Sequence, residues 1–280
     1  MKIKMIGLDL DGTVLNQEKK MGIRTRQAVE EAIKRGVMVL PATGRPLSGI
    51  PDEIFKIHGI QYALCANGAV IHDLKKQKKI HEVVMDYKEI MEIIERLKKI
   101  DVMADVFIDG RGYVETENLA YHIQFETSAP LREYILKTRT TVENLSVFLK
   151  ERQQNIQKMT INFRREEDGS LYGKEGVEKI LSEYKELAVV SGMATNLEVT
   201  NARATKGNGL LILGELFGIK KEEIMACGDS GNDREMLKAV GLGVAMENST
   251  NEVLEIADYI TKSNEEDGVA HAIEKFVLQP

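Results

Sequence analysis

The feature that most constrains the fold is an alternation of short apolar runs with amphipathic helices at both ends of the chain. In the first third, the apolar runs KIKMIGLDL and VMVLPA flank a helical pattern, TRQAVEEAIKRG, with Thr25 as a candidate N-cap. A third run, YALCANGAVI, contains a turn at Asn67-Gly68. The last third repeats this order, starting from EEIMACGDSGND. Alternating strands and helices predict a parallel sheet with helices on both faces.

The middle of the chain is organised differently. From about Val83 to Ala194, strands and helices mix without strict alternation, and a strand pair is predicted around Asp109-Gly110. This mixture is typical of an α+β domain. We therefore predict a discontinuous α/β domain, residues 1–82 plus 195–280, interrupted by a second domain, residues 83–194.

Composition excludes several classes of protein. With a net charge of -6 and a pI of about 5.6, the chain lacks the basic surplus of nucleic-acid or membrane-surface binders. Neither a signal peptide nor an apolar run of transmembrane length is visible. Cys65 and Cys227 each follow an apolar run and do not form a zinc or disulfide pattern. We expect a soluble, cytoplasmic protein without nucleic-acid or membrane partners.

Carboxylates follow two of the predicted strands. Asp9 and Asp11 end the first strand, and Asp229 and Asp233 lie in the loop GDSGND. Ligands bind outside the carboxyl ends of parallel strands, so these loops should meet. Carboxylates this close cannot all stay ionised without a cation. Oxygen ligands on short loops suit Mg²⁺, and the absence of histidine from these segments disfavours zinc.

Groups suited to an anion accompany the carboxylates. Thr43 and the backbone N–H of Gly44 are donors in the loop ATGR, and Lys206 lies just before a predicted helix. Turns at Gly12 and Gly231 allow backbone N–H groups to face an anion. An aspartate nucleophile, Mg²⁺, a threonine and a lysine are the parts that phosphoryl transfer needs.

Four segments together resemble a known family. DLDGTVLN, ATGR, ATKGNGL and GDSGND stand in the order of the four motifs of the haloacid dehalogenase-like (HAD) hydrolases. The segment SNEEDGVA resembles the Cof-type phosphatase subfamily, and the inserted domain resembles its C2-type cap. The resemblance covers the full length. It implies a Rossmann-like α/β core with an inserted α+β cap.

The resemblance implies roles for the carboxylates. Asp9 would be the nucleophile that forms an aspartyl-phosphate, and Asp11 the general acid and then the general base. Mg²⁺ would be held by Asp9, the Asp11 carbonyl and Asp229. Related ATPases have threonine at the position of Asp11, so the aspartate favours a phosphatase or a phosphomutase.

The resemblance also implies a phosphate site. Thr43 and Lys206 would hold the transferring phosphoryl group. Three further groups would assist them: the backbone at Leu10 and Gly44 and the side chain of Asn232.

Three residues have less definite roles. Arg45 either contacts the substrate or braces its own loop. Asn67 could read the substrate, although Asn-Gly favours a simple turn. Asp233 is expected to orient its neighbours rather than to bind the metal.

The implied function is a Mg²⁺-dependent phosphatase that hydrolyses small-molecule phosphate monoesters, such as sugar phosphates, through an aspartyl-phosphate. A sugar phosphomutase and a non-catalytic phospho-receiver or sensor are the alternatives. Hexose phosphates, phosphorylated cofactors and nucleotides all remain open as substrates. The sequence indicates neither the oligomeric state nor the cap residues that contact the leaving group.

Overall fold

The computed structural model describes residues 2–125, 128–191 and 195–279, without the side chains of residues 121, 122, 124 and 125. These residues divide into two compact units. The first unit comprises residues up to Arg45, Ile50–Glu82 and residues from Thr205 onward. The second comprises Pro46–Gly49 and the described part of Val83–Ala204.

The strands are short, as in many α/β proteins. Their bounds are β1 Met5–Leu8, β2 Met38–Pro41, β3 Tyr62–Cys65, β4 Val70–Asp73, β5 Lys78–Glu82, β6 Met103–Ile108, β7 Arg111–Glu115, β8 Arg139–Val142, β9 Lys158–Asn162, β10 Leu187–Val190, β11 Asn196–Asn201, β12 Ile224–Gly228, β13 Leu242–Ala245 and β14 Tyr259–Ile260.

The α-helices alternate with strands in the first unit and mix with them in the second. Their bounds are α1 Ile23–Lys34, α2 Asp52–Phe55, α3 Tyr87–Leu97, α4 Thr116–Phe125, α5 Ala129–Thr138, α6 Leu145–Arg152, α7 Lys174–Leu181, α8 Lys206–Leu216, α9 Arg234–Ala239, α10 Asn251–Leu254 and α11 Gly268–Ile273.

The first unit is built on a five-stranded sheet in the order β14-β13-β12-β1-β2. Every pairing in this sheet is parallel. The strand β1 lies inside the sheet, between β12 and β2, and it is fully buried because its residues MIGL are apolar enough to be covered on both faces. Helix α8 packs on α9, and α1 packs on α11. The expected α/β class with a parallel-sheet core is therefore confirmed.

The third apolar run does not simply extend the parallel sheet. Strand β3 makes one parallel bridge beside β2, at Ala42 and Leu64. It then turns through Ala66–Gly68 and pairs antiparallel with β4, which pairs with β5. The Asn67-Gly68 turn is confirmed, and its left-handed backbone reverses the chain direction.

The second unit contains a six-stranded sheet in the order β10-β11-β9-β6-β7-β8. Its pairings are antiparallel except for β7 with β8. Ile90 of α3, Leu149 of α6 and Val177 of α7 belong to one apolar cluster with Val106 and other side chains of the sheet. A separate cluster joins Met103 to α4 and α5. This is the α+β organisation expected for the inserted segment.

Two local expectations require correction. Helix α1 begins at Ile23 with Gly22 as its N-cap, so Thr25 lies inside the helix. Strand β11 pairs with β9 in the second unit, whereas the sequence analysis assigned residues 195–280 to the first. The boundary placed at Ala194 lies outside the described residues. Within the described ranges, no helix has the length and apolar content needed to cross a bilayer.

Candidate active site

Asp9 and Lys206 form the buried centre of the site. Asp9 directly follows the interior strand β1, and Lys206 is the first residue of α8 rather than a residue before the helix. The Lys206 Nζ atom donates to Asp9 Oδ1 at 2.6 Å and to Asp233 Oδ1 at 2.7 Å. The lysine is 1% exposed, so this charge is neutralised by protein groups and not by solvent.

Asp233 organises the loop that follows β12. Its Oδ2 atom accepts the backbone N–H groups of Asp229 and Ser230, each at 3.0 Å. Its Oδ1 atom accepts from Lys206, so both carboxylate oxygens are engaged. This arrangement is consistent with an orienting role.

Asp229 is brought close to the β1 loop by Gly12 and Thr13. The Thr13 hydroxyl donates to Asp229 Oδ1 at 2.7 Å. Gly12 has a φ of +81°, and a Cβ atom there would lie 2.5 Å from Asp229 Oδ2. Glycine is therefore required by the backbone conformation and by the close approach of the carboxylate.

Burial and like charges perturb the acids of this cluster. Burial raises the pKa of Asp9 well above its usual range; the Lys206 charge opposes this, and Asp233 and Asp229 reinforce it. Burial also raises the pKa of Asp229 to about 7, with Asp233 adding to the effect. Full ionisation of Asp9, Asp229 and Asp233 would therefore leave negative charge that Lys206 alone does not compensate.

The same carboxylates could hold a metal ion. One oxygen from each of Asp9, Asp229 and Asp233 lies within 4.8 Å of the others. Oxygen-only ligands and an uncompensated negative charge fit a hard divalent cation. Because the Asp233 oxygens are already bonded, Asp9 and Asp229 are the better suited ligands of the three.

Asp11 is directed to two cations and not to the acidic cluster. Arg45 donates from Nε to Asp11 Oδ2 at 2.7 Å and from Nη2 to Oδ1 at 2.8 Å. Lys19 Nζ also donates to Oδ1, at 2.8 Å. Burial alone would raise the pKa of Asp11, but the Arg45 and Lys19 interactions hold it well below its usual range. The free protein therefore keeps Asp11 as a carboxylate.

The loops after β2 and β3 complete the site. Thr43 is buried; its backbone N–H donates to Leu64 at 2.9 Å, and its hydroxyl accepts the Arg45 N–H at 3.1 Å. Asn67 accepts from Asn232 Nδ2 at 3.1 Å, which ties the turn after β3 to the loop after β12.

The structure thus brings together side chains from all four predicted loops. Hydrogen bonds join Asp9 to Lys206, Lys206 to Asp233, and Asn67 to Asn232. A further hydrogen bond joins the ATGR loop to the loop after β1, from Arg45 to Asp11. The backbone groups of Leu10 and Gly44 lie in the same loops, after β1 and β2. Their roles, like those of the side chains, remain predictions.

Sequence reasoning missed two residues of the site. Thr13 could have been found because it belongs to the DLDGT segment, so its hydroxyl lies close in sequence to Asp9 and Asp11. Lys19 carries no such signal, because it lies in a charged stretch, QEKK, that is typical of an exposed loop.

Comparison with known proteins identifies the family. Residues 6–273 match the haloacid dehalogenase-like hydrolases. The chain belongs to this family. A phosphatase of Bacillus subtilis, YwpJ, is 32% identical over 96% of this chain and 98% of its own length.

Two further relatives agree with this assignment. The Bacillus subtilis protein YcsE, named a 5-amino-6-(5-phospho-D-ribitylamino)uracil phosphatase, is 31% identical over 99% of this chain and 96% of its own length. The solved structure of a haloacid dehalogenase-like hydrolase from B. subtilis is 28% identical, with a TM-score of 0.84 over 98% of this chain and 100% of that one. The predicted class, a phosphoric monoester hydrolase of the HAD type, is confirmed.

Proposed function

We propose that the chain is a Mg²⁺-dependent phosphatase that hydrolyses small-molecule phosphate monoesters through an aspartyl-phosphate on Asp9. The observation that carries the proposal is the buried contact between Asp9, Lys206 and Asp233 beside Asp229. In this proposal the first unit is the catalytic core and the second is a C2-type cap. We also propose a cytoplasmic location, supported by the two buried free thiols, Cys65 and Cys227.

The metal would be held by Asp9, Asp229 and the main-chain carbonyl of Asp11. When bound there, Mg²⁺ would neutralise negative charge on the phosphoryl group and on the carboxylates. The fit rests on the oxygen donors and on the close approach of three carboxylates, those of Asp9, Asp229 and Asp233, which have Lys206 as their shared cation.

In the first half-reaction an oxygen of Asp9 attacks phosphorus, and the bond from phosphorus to the leaving oxygen breaks. Because Lys206 engages Oδ1 of Asp9, we assign Oδ2 as the attacking atom. Asp11 gives its proton to the leaving oxygen. This step requires protonated Asp11, and a bound phosphate dianion would favour that form by adding negative charge nearby.

In the second half-reaction Asp11, now a carboxylate, takes a proton from water. The resulting hydroxide attacks phosphorus of the aspartyl-phosphate, releases inorganic phosphate and restores Asp9. Thr43, Lys206 and Asn232, with the backbone at Leu10 and Gly44, would position the phosphoryl oxygens.

The test is a panel of phosphate esters assayed with and without Mg²⁺. The panel includes 4-nitrophenyl phosphate, hexose phosphates, nucleotides and, prompted by the name of the YcsE relative, a ribityl phosphate. We expect turnover that EDTA abolishes and that Asp9→Asn eliminates, because the amide is not a nucleophile. The matched control is Asp52→Asn, at an exposed carboxylate on α2.

Each alternative predicts a different result. Turnover that depends on an added sugar bisphosphate would indicate a phosphomutase. A long-lived phosphoryl group on Asp9 without steady turnover, detected by intact mass, would indicate a receiver or sensor. Wild-type rates in folded Asp9→Asn would exclude the mechanism.

A further inference from the structure

The loop between β1 and α1 brings Lys19 into contact with Asp11, the proposed acid/base residue. Lys19 Nζ lies 2.8 Å from Asp11 Oδ1, and both side chains are partly exposed, at 43% and 42%. Arg45, the last residue of the ATGR motif, binds the same carboxylate, and its side chain is only 12% exposed. Asp11 is therefore fixed by one largely buried cation and one exposed cation.

The backbone around Lys19 is held in an unusual conformation. Lys19 has a φ of +60°, in the left-handed region that non-glycine residues rarely adopt. Asn16 closes the turn: its carbonyl accepts the Lys19 N–H, and its side chain accepts the Lys20 N–H, both at 2.9 Å. Such a conformation persists only where its surroundings fix it.

The base of this loop is anchored to buried structure. Leu15 is fully buried and makes bridges to both Asp11 and Met21. Asn264 donates to the Leu15 carbonyl at 2.9 Å, and Glu265 accepts the Gln17 N–H at 2.7 Å. Residues near the end of the chain therefore hold the loop in place, and Lys19 is presented to Asp11 from a constrained backbone.

We propose that Lys19 is a positioning residue for proton transfer: it holds Oδ1 of Asp11 and so fixes the direction in which Asp11 delivers its proton to the leaving oxygen. This inference rests on the proposed phosphatase function, in which Asp11 is the general acid. With Arg45 alone, the carboxylate can still be bound, but it loses one of the three donors that set its orientation.

The leaving group provides the means of testing this role. An alkoxide is a poor leaving group and needs the proton from Asp11, whereas 4-nitrophenolate is stable enough to leave without it. The value of kcat/KM reports on steps up to departure of the leaving group. A positioning defect at Asp11 therefore lowers kcat/KM for alkyl phosphates more than for 4-nitrophenyl phosphate, and a general loss of folding lowers both equally.

The experiment compares Lys19→Met with the wild type on 4-nitrophenyl phosphate and on the best alkyl phosphate of the panel. General acid catalysis contributes about 10²–10⁴-fold, and we expect a partial loss, with the aryl-to-alkyl ratio of kcat/KM rising about tenfold. Lys19→Arg should restore most of the wild-type ratio. Lys20→Met is the matched control, because Lys20 pairs with Glu18 and not with Asp11.

Because the Lys19 charge also lowers the pKa of Asp11, its removal by itself favours the protonated acid and would lower the ratio. An unchanged or lower ratio in Lys19→Met, or the same change in Lys20→Met, would overturn the inference. The proposed function and the role of Lys19 are tested separately. If the wild type hydrolyses no ester, or Asp9→Asn is fully active, the proposed function is wrong. If both of those tests succeed and the ratio does not move, only the role of Lys19 is wrong.

Discussion

Among single residues, Lys206 neutralises the most buried carboxylates of the site, those of Asp9 and Asp233. It is fully buried and has two carboxylate partners. Burial alone would lower the pKa of its ammonium, but the charges of Asp233 and Asp9 raise it above the usual range. Lys206 therefore remains charged, and it reduces the repulsion between the two acids that it bridges.

Lys206→Met should abolish turnover and destabilise the protein. The methionine is close in volume, but it leaves Asp9 and Asp233 buried and without their shared cation. Removing one partner of a buried ion pair costs about 3–5 kcal/mol in the free energy of unfolding. Urea unfolding and kcat for the best ester check this. The control Lys238→Met, at an exposed position of α9, should unfold like the wild type. Equal midpoints for the two variants would contradict the expectation.

At the level of elements, the start of α8 places Lys206. Thr205 is the N-cap, and its Oγ1 accepts the Asn208 N–H at 3.0 Å. The turn after β3 approaches this cap closely: a Cβ atom at Gly68, where φ is +100°, would lie 2.1 Å from the Thr205 carbonyl oxygen. A defect in the cap should therefore affect both the helix and the lysine at its first position.

Thr205→Ala is expected to lower the free energy of unfolding by about 1 kcal/mol, because one N–H of the first turn loses its acceptor. A decrease in kcat should accompany it as Lys206 becomes less well fixed. Thr205→Ser keeps the hydroxyl and should retain most of the stability. Chemical denaturation of the three proteins measures the difference. If serine and alanine destabilise equally, the methyl group of Thr205, and not the cap, is what matters.

The elements also show how far sequence reasoning extends. Apolar periodicity and the polar residues at strand ends predicted the parallel sheet and the loops that carry Asp9, Thr43 and Lys206, because both signals are local. The start of α1 was missed because Asp267, far away in sequence, accepts both the N–H and the hydroxyl of Thr25. Contacts of that kind depend on the completed tertiary structure.

The position of β11 and the contact of Lys19 with Asp11 were missed for the same physical reason. The sequence of β11 does not indicate which strand it pairs with. Its pairing with β9 is decided only when the six-stranded sheet assembles. Lys19 looks like any solvated lysine until the turn at Asn16 directs it to Asp11. Motif order identified the acids, but the cations around Asp11 required the structure.

At the scale of the whole molecule, the acidic cluster couples stability to pH and to metal. In the metal-free protein, Asp229 has a pKa of about 7, and an unfolded aspartate has one of about 3.9. Between these values the folded state binds a proton that the unfolded state does not. Stability therefore falls as pH rises through this window, by at most about 1.4 kcal/mol per pH unit for this group.

Bound Mg²⁺ should oppose this loss of stability at higher pH. Protons and the cation compete for the same carboxylates, so the rise in Tm on adding Mg²⁺ should be larger at pH 8 than at pH 5. At 100 times its Kd, the ion would stabilise the folded state by about 2.7 kcal/mol. Calorimetry of wild type and Asp229→Asn at both pH values measures the effect, and the variant should lose most of it. An equal Tm shift at both pH values would count against binding at this cluster.

The position of β1 between β2 and β12 has a consequence for synthesis of the chain. Its neighbours are β2, which follows soon after, and β12, which is translated roughly 200 residues later. At a translation rate of about 5–20 residues per second, one edge of this apolar strand remains unpaired for roughly 10 to 40 s before β12 has been synthesised. During that interval the nascent chain exposes an unpaired strand edge, where misassembly and chaperone binding compete with folding. The same interval precedes the meeting of Asp9 with Lys206 and Asp229, so the candidate site is incomplete until the last third of the chain has been made.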